Sequence, residues 1–158
     1  MHPRAIMLRY PFVGTYPVSF RFGVLPVDSK LKQKYQEWGL KGHHGIDFGL
    51  PLGTKVVAAD SGKVIGVGDH KDFGISITLL HVWGSSFYAH LKETLVSLSQ
   101  KVKVGQAIGF SGQSGFTTGA HLHFAIKPIN ADLQNGYLGY IQISHPKSGF
   151  KLQEFVGE

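Results

Sequence analysis

Cysteine is absent from this chain of 158 residues. That excludes disulfides and zinc–thiolate sites and leaves His, Asp and Glu as the side chains able to hold a metal, while a cytosolic and an exported location both stay open. Charge is also sparse, at 16% of residues, with 10 acidic against 16 basic side chains. No stretch reaches the about 18 consecutive apolar residues of a membrane span, and the early run Ile6-Met7-Leu8 is cut by Arg9 before it could serve as a secretory apolar segment. The net charge of +6 and pI near 9.6 favour a polyanionic partner such as acidic lipid or an anionic wall polymer. Nucleic acid is not expected, because the lysines are scattered and no zinc-finger, helix-turn-helix or ribonucleoprotein aromatic motif occurs.

What the chain does have is glycine, 21 of them, and short runs rich in Val, Ile, Phe and Thr. The composition predicts an all-β fold, mainly antiparallel, sandwich-like or barrel-like with a groove for substrate. The length suits one domain over 1–158, burying roughly two thirds of its unfolded surface, and a monomer is expected. Pro17 to Phe22 alternates as a half-buried strand ended by Gly23, with Arg21 on its outer face, either solvated or at the mouth of an anionic site. Thr54 to Ala59 and Gly62 to Gly68 read as strands on either side of the turn Asp60-Ser61-Gly62, followed by runs at 75–81 and 86–91, the latter placing His90 at a strand end. One short helix is expected near 28–38, with Asp28 or Ser29 as N-cap, Leu31, Tyr35 and Trp38 at helical spacing and Gly39 as the stop. Gly62-x-x-Ile65-Gly66 is echoed at Gly105-x-x-Ile108-Gly109, and Tyr137, Tyr140 and Phe150 in the tail are read as packing residues.

The histidines carry the chemistry. In His121-Leu122-His123-Phe124 an extended backbone puts both imidazoles on one face about 6 to 7 Å apart, with Leu122 turned inward. One could bind a metal while the other moves a proton; alone, the pair could equally be a solvated polar face. The stretch Lys41-Gly42-His43-His44-Gly45-Ile46-Asp47 is too rich in glycine for a helix, so a loop must bring His43 and Asp47 together.

Together, His43-x-Gly45-x-Asp47, Tyr88-Ala89-His90-Leu91, Gly105-Gln106-x-Ile108-Gly109 and His121-Leu122-His123-Phe124 resemble the lysostaphin/LytM-type zinc metalloendopeptidases that cut bacterial peptidoglycan. The resemblance covers a core of about 21–125 and leaves 127–158 as an extension. It implies that His43, Asp47 and His123 bind one Zn2+ ion and that His90 and His121 form the catalytic pair, with His44 outside the ligand set. No Asn of the kind that blocks the metal in latent relatives precedes His43, which implies an active form. Ala120 and Ala125 stand where relatives commonly carry Pro and Glu, a departure that bears on fine geometry. Two His and one carboxylate leave zinc a fourth position for water. With no His-Glu-x-x-His glutamate, proton transfer falls to imidazoles, whose ordinary pKa is about 6.5; His121 is assigned as the base and His90 as stabiliser of the tetrahedral oxyanion, the exchange of roles being the alternative.

The function expected is therefore zinc-dependent hydrolysis of a peptide bond in peptidoglycan, whether cross-bridge or stem peptide, in the cell envelope or outside the cell, by a protein whose export signal is trimmed or which is borne on a phage. Two alternatives are a non-catalytic peptidoglycan-binding or hydrolase-activating module of the same fold, and a sugar-phosphotransferase carrier with two facing histidines.

Overall fold

The computed structural model describes residues 5–117, 119–143 and 153–156; Phe150 lies outside them. In chain order the elements are β1 (Ala5–Leu8), β2 (Val18–Phe20), α1 (Ser29–Trp38), β3 (Ile46–Phe48), β4 (Lys55–Val57), β5 (Gly62–Asp69), a 3-10 turn (Lys71–Phe73), β6 (Ile75–His81), β7 (Gly84–Thr94), β8 (Lys101–Val102), β9 (Ala107–Ser111), β10 (Leu122–Pro128) and β11 (Gln153–Val156). β1 and β11 form a two-stranded ribbon. The other nine strands make one antiparallel sheet in the order β2-β3-β10-β7-β6-β5-β8, with β9 added along β7 and β4 along β9. The expected all-β architecture with one helix holds, and no helix among the described residues is long and apolar enough to cross a membrane.

Alternation places the site. In β10, Leu122, Phe124 and Ile126 enter the main core; so do Ile46 and Phe48 of β3, and Tyr88 of β7. The residues between them face the other way, where Ala89 and Ala125 join Phe87 in a small cluster capped by Phe73 and Tyr140. Because β10 lies between β3 and β7, His123 stands opposite Asp47 on one side and Ala89 on the other. Two functional side chains are thus aligned by sheet register, and the small Ala89 leaves room beside them.

β7 then breaks its own alternation. Ile77 pairs with Tyr88 while Ile75 pairs with Leu91, so β7 carries one extra residue against β6, and His90 at that point has φ of 60°. This is a β-bulge with a non-glycine residue in the left-handed region. His90 was expected at a strand end; it lies inside an 11-residue strand, and beyond it β7 turns to pair with β9. A second difference concerns β4 and β5. They flank the expected turn at Asp60 but do not pair with each other: β4 pairs with β9, and β5 with β6 and β8. The glycine echo has no structural counterpart either, since Ile65 is 46% exposed and Ile108 is fully buried.

Away from the site, a chain of buried hydrogen bonds ties these strands together. Ala59 N–H donates to Tyr88 Oη (3.0 Å), which donates to Ser86 Oγ (2.8 Å), which donates to His81 Nε2 (2.6 Å), while His81 Nδ1–H donates to the Ser61 carbonyl (2.7 Å). The carbonyl at one end can only accept, so every donor direction follows. Tyr88→Phe should leave a buried N–H without its acceptor and cost about 1–3 kcal/mol in urea unfolding; a loss under ~0.5 kcal/mol would mean that the chain contributes little.

Candidate active site

The loop before β3 reaches its position through close backbone contact. Gly23 N–H donates to the His43 carbonyl (2.8 Å) and His43 N–H to the Val24 carbonyl (2.9 Å). At Gly45 a Cβ would come within 2.5 Å of the Phe124 carbonyl oxygen and 2.8 Å of the His123 ring, so only glycine lets the chain cross β10 there. His43 and Asp47 then converge on His123. The atoms His43 Nε2, Asp47 Oδ1 and His123 Nδ1 form a triangle with edges of 3.1 Å (His43–Asp47), 3.0 Å (His123–Asp47) and 3.1 Å (His43–His123). His121 Nε2 lies 3.5 Å from the other carboxylate oxygen, Asp47 Oδ2.

The triangle can accommodate a metal ion. Ligands at 2.0–2.1 Å from a tetrahedral zinc are separated by roughly 3.3 Å, close to these edges. Hydrogen-bond directions agree. His43 gives its Nδ1–H to the Arg21 carbonyl (3.2 Å), so its Nε2 lone pair faces a carboxylate oxygen, an arrangement that is repulsive until a cation or a proton sits between them. The Arg21 side chain itself is exposed and does not line the cleft; its backbone is what the site uses.

Burial pushes the carboxyl of Asp47 upward, but the imidazole nitrogens of His123 and His43 beside it, which favour the anion whenever a proton or cation is shared between them, outweigh it and hold the group well below the usual carboxylate range. His123 is lowered by burial, against the opposing pull of Asp47. His90 is lowered to about 4, first by burial and then by its neighbour His123. His44, adjacent to the triangle but outside it, is 3% exposed and pushed well below its ordinary value by burial.

His90 and His121 face each other with ring centroids 4.9 Å apart. Each gives its Nδ1–H to a backbone carbonyl, His90 to Ser114 (2.7 Å) and His121 to Gly119 (2.9 Å), and each turns Nε2 toward the centre. All five residues singled out in the sequence are therefore brought together. Residues with no sequence signal join them: Ser114, whose hydroxyl donates to the Leu91 carbonyl (2.5 Å), and Thr117, whose Oγ1 lies 3.2 Å from His121 Nδ1.

These groups form the floor of a cleft of about 580 Å³. One wall is α1 with the loop before it, including Val27, Leu31, Tyr35 and Trp38; the other is the segment around Phe116, Thr117 and Ala120. α1 is capped at Asp28, whose side chain accepts from Leu31 N–H (2.9 Å), and ends on Gly39 in the left-handed region. Asp72 joins the two walls. Its carboxylate accepts from Trp38 Nε1 (3.3 Å) and Lys34 Nζ (3.5 Å), and its carbonyl from Phe116 N–H (2.7 Å). Trp38 also stacks on Phe73 at 5.2 Å, so it both packs and rims the groove. Removing the carboxylate in Asp72→Ala should free α1, for a local loss of about 1–2 kcal/mol, read as roughly 5–30-fold faster amide hydrogen exchange in residues 29–38. Unchanged protection there would show that α1 is held by its apolar contacts alone.

Comparison with known proteins gives the family. The family described as Peptidase family M23 matches residues 41–138. Over 130 residues the chain is 33% identical to peptidoglycan DD-endopeptidase ShyA of Vibrio cholerae, covering 78% of this chain and 28% of that protein. Over 85 residues it is 40% identical to lysostaphin of Staphylococcus simulans, covering 52% of this chain and 17% of that protein. Over 124 residues it is 33% identical to an uncharacterized metalloprotease of Buchnera aphidicola, covering 77% and 31%. The chain thus spans less than a third of the length of these relatives. Among solved structures, a zinc-containing peptidase from Vibrio cholerae superposes with a TM-score of 0.71 at 28% identity, over 92% of this chain and 41% of that one. The lysostaphin catalytic domain from Staphylococcus simulans gives 0.66 at 29% identity, over 80% and 88%. With a family match across most of its length, the chain belongs to peptidase family M23.

Proposed function

We propose that this chain is a zinc-dependent endopeptidase acting on the peptide part of bacterial peptidoglycan, with His43, Asp47 and His123 holding one zinc ion and His90 and His121 handling protons. The observation that carries this reading is the triangle of His43 Nε2, Asp47 Oδ1 and His123 Nδ1, with its 3.0–3.1 Å edges at the floor of an open cleft. Bound there, zinc would act as a Lewis acid and lower the pKa of water from 15.7 to about 7.

The hydrogen-bond directions favour one division of labour between the catalytic imidazoles. Burial keeps His90 neutral down to about pH 4, and its Nδ1–H is committed to Ser114. Its Nε2 is therefore an acceptor, suited to take a proton. His121 Nε2 lies 3.5 Å from Asp47 Oδ2, a carboxylate oxygen placed to accept from it when Nε2 carries a proton. Charged, it can donate to a developing oxyanion or to the leaving amine. This exchanges the roles assigned from the sequence, where His121 is the base and His90 the stabiliser.

Peptidoglycan as substrate, and the cell envelope or its exterior as the place of action, rest on the family and on ShyA, named as a peptidoglycan DD-endopeptidase, with the net charge of +6 suiting an anionic wall. Asp47 argues against the phosphoryl-carrier alternative, because a carboxylate 3.0 Å from an imidazole nitrogen repels a phosphoryl group. A non-catalytic module has no need of five convergent residues.

Purified protein should release peptide fragments from bacterial walls, stop when zinc is chelated and resume when zinc is returned. His123→Ala should lose bound zinc and turnover together. His121→Ala should keep zinc while turnover falls by about 10²–10⁴-fold. Wall cleavage that survives chelation, or zinc retained by His123→Ala at the wild-type level, would defeat the assignment. In acid, protons compete with zinc for His43 and His123, so activity should fall below about pH 6 and zinc content with it; His90, neutral to about pH 4, does not set that limb. Full activity at pH 4.5 would contradict the scheme.

A further inference from the structure

Three of the four imidazoles at the centre are oriented alike, with Nε2 inward and Nδ1–H given to the carbonyl of Arg21, Ser114 or Gly119. His123 is reversed. It presents Nδ1 to Asp47 and His43, and its Nε2 is buried with no hydrogen-bond partner among the described residues. The imidazole packed against it, His44, is 3% exposed, and its Nδ1 is likewise buried with no partner among the described residues. The two ring centroids are 4.7 Å apart at an interplanar angle of 35°. Phe73 and Tyr140 close the space around His44, at 5.4 and 5.2 Å, and Phe87 packs against His123 at 6.1 Å.

Buried polar atoms in folded proteins are almost always satisfied, and two such atoms on adjacent rings call for one explanation. Imidazole hydrogen bonds leave the ring in its own plane, so rings this close to stacking cannot bond each other directly. A single water can join them, because the planes of rings inclined at 35° converge and a water placed where they meet can take a bond from one ring and give one to the other. Two polar partners are enough to hold a buried water.

We propose that His44 is a positioning residue for His123: the Nε2–H of His123 donates to one buried water, which donates in turn to His44 Nδ1. This fixes His123 in the tautomer whose Nδ1 lone pair points at the metal position and sets the plane of its ring, as outer partners of metal-binding histidines commonly do. His44 touches neither substrate nor metal in this scheme. The inference rests on the zinc reading given above. It also gives the chain beyond β10 a part in the site, since Tyr140 closes the box that holds His44.

The test uses the full chain as wild type, His44→Phe and His44→Asn. Phe fills the aromatic box but offers no acceptor; Asn places an oxygen near where Nδ1 lies. Zinc affinity, measured by competition with a chromogenic chelator, should weaken about 10–100-fold in His44→Phe and return most of the way toward wild type in His44→Asn. In parallel, nitrogen-15 NMR of the metal-free protein should show a slowly exchanging His123 Nε2–H in wild type and His44→Asn that is lost in His44→Phe. Equal affinity and an equal imidazole signal in wild type and His44→Phe would overturn the proposal, as would Phe and Asn variants that behave alike, which would mean that His44 only packs. Should His44→Phe fail to fold, wild type and His44→Asn still decide: no protected Nε2–H in wild type overturns the proposal. A wild type that binds no zinc would defeat the zinc reading, and the NMR signal would still report on His44.

Discussion

The carboxylate of Asp47 is the constraint on which the rest of the site depends. It sits on the small face of the sheet, directly across the β3–β10 ladder from His123, where an unpaired anion would be expensive to bury. What surrounds it is imidazole, His123 and His43 at one oxygen and His121 near the other, so that a proton or cation shared among them is what keeps it charged. Each needs a different structural device to arrive. His123 comes by strand register, His121 by the two-residue period along the same segment, and His43 by a loop that can approach only because residue 45 has no side chain. Removing the charge at position 47 would take away what draws these groups together, whereas losing any single imidazole would leave the others oriented by their own backbone partners.

That division also decides what could be read from sequence. The two-residue period correctly places His121 and His123 on one face, and helical spacing with its caps correctly finds α1, because both are local rules written in adjacent residues. His90 is different. In Tyr88-Ala89-His90-Leu91 a regular strand would send Tyr88 and His90 to the same side, into the core. The extra residue of the bulge reverses this, so that Leu91 takes the core position and His90 the site. Nothing in the four residues announces a bulge, and the motif resemblance was the only route to His90. The pairing of β4 with β9 was hidden for a related reason, as a turn between two strands carries no information on which third strand each will choose.

The cleft walls were harder still, since they depend on single long-range contacts. Asp72 had no role in the sequence reading, yet it holds α1 with its side chain and the opposite wall with its backbone. The arrangement makes cleft width a property of one turn, Lys71–Phe73, whose last residue also reaches the floor: the Phe73 ring lies 6.2 Å from His123 and 6.4 Å from His90. Wall and floor are thus joined through adjacent residues.

A consequence for catalysis follows from where the backbone acceptors lie. The carbonyls that orient His90 and His121 belong to Ser114 and Gly119, on either side of the wall residues Phe116 and Thr117. Both imidazoles are thus tied to that wall, through hydrogen bonds of 2.7 and 2.9 Å. The triangle of His43, Asp47 and His123 is oriented from elsewhere, His43 by the Arg21 carbonyl and His123 by the sheet. The site therefore divides into a part oriented by the sheet and the Arg21 carbonyl and a part oriented by the cleft wall. The boundary runs between His121 and His123, two residues apart in one continuous segment.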